Sequence, residues 1–143
     1  MDPGQEATIW MARAATVAYL AALVLIRKHQ MAPARALWTA GFGIYALHVM
    51  SAFAFFYEWS HFVAQRETDR QTAELFGVNW GGGIYVNYAF TAVWFIDCLW
   101  WWTKPDGYRR RPAAVSASVH LFLAFVFLNA TLVVWLLRAF SRG

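Results

Sequence analysis

Three side chains in this sequence set an ionisable group in strongly apolar surroundings: His48, Asp97 and His120. Asp97 is the only charge in GGGIYVNYAFTAVWFIDCLWWW, a run from Gly81 to Trp102 that is long enough to cross a bilayer as a helix. A carboxylate in that position needs either a partner or a job. Counting about 1.5 Å per residue from the basic ends of their segments puts Asp97 and His120 at one depth, roughly 8 to 11 Å inside. They are the expected buried polar pair. Such a pair can simply lock helix register, or it can serve a proton or small-ion pathway or part of a quinone site.

His48 recurs on one helical face with Gly41, Tyr45, Ala52 and Phe55. A face that mixes small and aromatic residues suits a flat cofactor, and a b-type haem with His48 and His120 as axial ligands is the obvious candidate. Against it, the counted depths of the two differ by roughly 7 Å. The bland alternative is a lone histidine bonded to a nearby Tyr, Ser or backbone carbonyl. His29 and His61 fall at opposite surfaces and cannot ligate one metal within a subunit, so no metal site is expected.

Asn87 and Thr91 share a stripe with Trp94 and Cys98, and Asn129 lies within the last apolar run; all three polar groups are expected to bond between helices. The single cysteine, Cys98, excludes an intrachain disulfide and a CxxC redox or metal motif. No HExxH, GxSxG or P-loop is present. Gly81-Gly82-Gly83 follows no strand, so it reads as a flexible or tightly packed entry to a helix and not as a dinucleotide fingerprint.

These groups need elements to hold them. The chain of 143 residues is 60% hydrophobic and only 14% charged, which excludes an ordinary soluble domain. Its net charge of +4 sits in short segments between apolar runs, a pattern of topology signals and not of a nucleic-acid groove. The expected fold is all-α: a single domain, 1–143, forming a bundle of four transmembrane helices at about 7–26, 36–57, 82–102 and 113–137. The segment 58–81 is an acidic outer loop with a short surface helix, where Thr68 and Gln71 have capping-box spacing and Gly77 suits a C′ position. Arg13 in the first span must snorkel or find a partner.

Arg27, Lys28 and Arg35 in one turn, with Lys104, Arg109, Arg110 and Arg111 in the other, place both turns in the cytoplasm. Both termini then lie outside, although Arg138 and Arg142 weaken the bias. Trp10, Trp38, Trp59, Trp80, Trp100 to Trp102 and Trp135 fall near span ends as interfacial belts, and Trp94 falls well inside. The expected function is a non-enzymatic accessory or assembly subunit of a bacterial inner-membrane complex, in contact with lipid and with other subunits or itself. The alternatives are a haem- or quinone-associated electron carrier using the buried histidines, and a proton or small-ion pathway through Asp97 and His120.

Overall fold

The computed structural model describes residues 2–140, with side chains described as far as residue 130 apart from those of Leu75 and Phe76. The belt position of Trp135 and the terminal bases Arg138 and Arg142 fall outside these limits. The order is α1 (Pro3–Arg27), α2 (Met31–Phe55), α3 (His61–Phe76), α4 (Gly83–Thr103), α5 (Pro105–Arg109) and α6 (Ala113–Phe140), with no strand among the described residues. Among the described residues, three helices are long and apolar enough to cross a membrane: α1, α2, and α6 over Ala113–Ala130. At 21 residues α4 has the length, but its tryptophans, tyrosines, Asn87 and Asp97 keep its mean hydropathy below theirs.

Helix α1 starts at Pro3, whose ring suits the first turn. It packs antiparallel along α2 because small residues let the backbones approach: Ala15, Ala18 and Ala22 are buried, and a Cβ at Gly41 would stand 3.2 Å from that of Ala18. The pairing is fixed at one end by Thr8, whose hydroxyl meets Ser51 Oγ at 2.7 Å. Arg13 turns outward over the Trp10 ring, 4.7 Å from its centroid.

The bundle interior is aromatic. Trp38 of α2 and Trp94 of α4 are fully buried with ring centroids 5.5 Å apart. Tyr19 of α1 packs against both, and Phe127 of α6 closes the cluster 4.6 Å from Tyr19 and 5.6 Å from Trp94. Trp38 therefore departs from its expected belt position, as does Trp101, which is buried under Tyr108. The inner faces of α2 and α4 are supplied by these rings, so their burial wins over any interfacial preference. Trp10, Trp59, Trp80 and Trp102 remain exposed, as belt residues are.

The segment after α2 forms a longer helix than the capping-box spacing suggested. Ser60 caps α3 by accepting from Val63 N, and Thr68 sits in mid-helix with its hydroxyl donating to the Ala64 carbonyl. Gly77 ends α3 in the left-handed region at φ 67°. The glycine triplet is a close-packing device: a Cβ at Gly83 would lie 2.6 Å from Thr68 Cγ2, and the Gly81 carbonyl accepts from Gln65 Nε2 at 3.4 Å.

Candidate functional site

Asp97 lies six residues before the end of α4 and is buried, and the short helix α5 and the start of α6 fold back over it. Tyr108 donates its hydroxyl to Asp97 Oδ2 at 2.8 Å, and Arg111 Nη1 donates to Oδ1. Side-chain exposure is 3% for Arg111 and 2% for Asp97, so the ion pair is closed to solvent. A buried charge is tolerated when it is paired and its remaining bonds are made. Arg111 Nη2 donates to Tyr108 Oη and to Ser116 Oγ, both at 3.1 Å, while the guanidinium lies 4.0 Å over the Tyr108 ring. The other face of Tyr108 stacks on Trp101 at 4.4 Å and 7°. Burial, and then the neighbouring Asp97 charge, push the Tyr108 phenol well above its usual range.

The local chain explains this geometry. Pro105 opens α5 and Pro112 precedes α6, and the turn after Arg109 brings Arg111 beside Tyr108 against α4. Sequence reasoning treated Arg111 as a topology charge like Arg109 and Arg110. The one available signal was that Arg111 abuts the start of α6, in the basic turn adjoining the span that carries a lone acid.

The expected direct pairing of Asp97 with His120 is thus replaced by pairing with Arg111 and Tyr108, because a guanidinium and a phenol satisfy both carboxylate oxygens. His120 remains a neighbour on which the charges of Asp97 and Arg111 act. Its ring meets Trp38 edge-on at 5.4 Å, and its Nδ1 is buried without a hydrogen-bond partner among the described residues.

His48 is held elsewhere, with Nδ1 2.8 Å from the Thr8 carbonyl oxygen. It is 17 residues beyond the start of α2, about 25 Å along the helix, whereas His120 is seven residues into α6, about 10 Å. The gap of about 15 Å exceeds the roughly 7 Å counted from sequence, since α2 begins at Met31 and not near Ala36. Tyr45, Trp94 and Trp38 fill the space between, in ring contacts of 6.2, 5.7, 5.5 and 5.4 Å running from His48 to His120. A haem ligated by both residues does not fit within one subunit.

Of the three expected interhelical polar groups, Thr91 reaches another helix, with Oγ1 3.0 Å from Tyr45 Oη. Asn129 donates to the Phe125 carbonyl of its own helix, and Asn87 is exposed. A nearby i−4 carbonyl gives the amide a partner without crossing to a neighbour. His61 contacts Tyr88 Oη at 2.8 Å at the opposite end of α4 from Asp97.

Near the Asp97 centre, a cavity of about 320 Å³ is lined by Ile26 and Met31 from the α1–α2 junction and by Tyr108, Arg111, Ser116 and His120 from α5, the turn after it and α6. The chain is therefore a helical protein with three candidate membrane-spanning helices and a buried Asp–Arg–Tyr centre beside a cavity at its basic end. Comparison with protein-family models, curated proteins and solved structures finds no match.

Proposed function

We propose that α4 crosses the membrane with α1, α2 and α6, making a four-helix bundle in a bacterial inner membrane with both termini outside, and that the chain is a non-enzymatic accessory or assembly subunit of a membrane complex. The observation carrying this reading is the solid interior: Trp38, Trp94, Phe90 and Leu123 are essentially without solvent exposure and leave the bundle axis filled. A proton or ion pathway through Asp97 and His120 finds less support, because both Asp97 oxygens are bonded and the tryptophans stand beyond His120. Large apolar side chains such as Leu47, Met50, Phe95, Ile96 and Leu99 face outward, which suits lipid and neighbouring helices.

Further support for α4 as a span is that the burial cost of Asp97 is met by Arg111 from the adjoining turn, so its one charge does not bar it from a bilayer. The test is native electrophoresis of the tagged chain, expressed at its natural level and solubilised in mild detergent. An accessory subunit migrates in one discrete assembly with fixed stoichiometry to other polypeptides. Migration of the chain alone, as monomer or simple homo-oligomer, would refute the role.

A further inference from the structure

The cavity beside His120 has no part in the role proposed above, and its lining is specific in three respects. Its charges cancel locally: Arg111 is neutralised by buried Asp97, and Arg109 at the rim pairs with Asp106 at 2.6 Å. Neither lining charge is left to pair with an occupant, so an uncharged headgroup is accommodated. Its hydrogen-bonding capacity is incompletely used among the described residues: Ser116 Oγ accepts from Arg111, which leaves its O–H to donate elsewhere, and His120, which also lines the cavity, makes no ring hydrogen bond. The remaining wall is apolar and soft, made by Ile26, the thioether residue Met31 and Ala113 beside the edge of Tyr108, whose ring faces are taken by Arg111 and Trp101.

The depth of the cavity suits the same occupant. His120 stands about 10 Å from the start of α6, at a depth where an amphiphile keeps its head near the interface and its tail among acyl chains. A volume of about 320 Å³ holds a single substituted ring.

We propose that this cavity binds the headgroup of a membrane-soluble quinone, with ring carbonyls accepting from Ser116 and His120 and the tail passing out beside Ile26. Occupancy does not depend on whether the chain has partner subunits, and no redox step is part of the proposal.

The experiment titrates the detergent-purified chain with a short-chain alkyl benzoquinone and follows tryptophan fluorescence. Trp38 meets His120, and Trp100 and Trp101 pack on Tyr108, so bound quinone lies within quenching range of several indoles. Saturable quenching is expected, weakened about tenfold by Ser116→Ala, the equivalent of one hydrogen bond. Ala113→Phe, at an exposed position that a larger side chain can fill, should abolish saturation while the thermal midpoint stays unchanged. Quenching that rises linearly and equally in all three proteins would overturn the proposal, as would saturation indifferent to both variants. Displacement of the quinone by phosphatidylglycerol but not by phosphatidylcholine would also overturn it, because the cavity would then be an anionic headgroup site.

Discussion

Removing Arg111 should be among the most damaging single changes in this protein. Arg111→Met keeps the length of the stem but leaves Asp97 ionised in a site with 2% side-chain exposure, and it takes away donors to Tyr108 and Ser116. Deleting one partner of a buried ion pair costs about 3–5 kcal/mol, most of it the penalty of the orphaned charge. Asp97→Leu strands the guanidinium in the same way, with a loss of the same order. The double variant removes both charges and should recover most of the loss, giving a coupling of at least about 2 kcal/mol in the double-mutant cycle. Unfolding of detergent-solubilised protein by added denaturing surfactant, followed by circular dichroism, supplies the four stabilities. Single variants within about 0.5 kcal/mol of the parent, or strictly additive losses, would mean that the pair is solvated and contributes nothing.

The raised Tyr108 pKa carries a sign. A phenol that stays protonated in the folded chain while the unfolded one ionises contributes stability below about pH 10, and that stability is lost as pH rises further. The alkaline fall in unfolding free energy should therefore be shallower in Tyr108→Phe, by up to about 1.4 kcal/mol per pH unit. Trp94→Ala should cost about 3–5 kcal/mol in the same surfactant assay, since a fully buried indole touching Tyr19, Trp38, Phe90 and Phe127 is removed. Gly83→Val should lift α3 from α4, because even a Cβ meets Thr68 at 2.6 Å, and limited proteolysis between residues 58 and 82 should accelerate. Purified protein should show no reducible Soret band attributable to paired His48 and His120 ligation, and its visible spectrum should be unchanged by His48→Ala.

Much of the helical layout was legible because apolar runs, basic turns and Gly77 each point to one local structure. The deeper arrangement was less so. Three consecutive arginines look alike in sequence, and only the fold-back of α5 over α4 singles out Arg111 as the one that turns inward. Depth counted from segment ends misplaced His48 because the start of α2 moved by five residues, and each residue shifts depth by about 1.5 Å. Trp38 resembled an interfacial residue by position, yet contacts from three other helices bury it. The Ser60 cap went unnoticed because Val63 supplies no reciprocal carboxylate or amide side chain, so the segment lacks a capping box.

Whether α4 crosses the membrane is decided by labelling Val78→Cys and Arg110→Cys, each in a Cys98→Ser background, with a membrane-impermeant thiol reagent in sealed vesicles. Both positions are exposed, and they flank α4 at its two ends. The bundle requires residue 78 to react from the outer face alone and residue 110 only after the inner face is opened. Reaction of both from one side would show that α4 does not cross, and the four-helix account would fall with it.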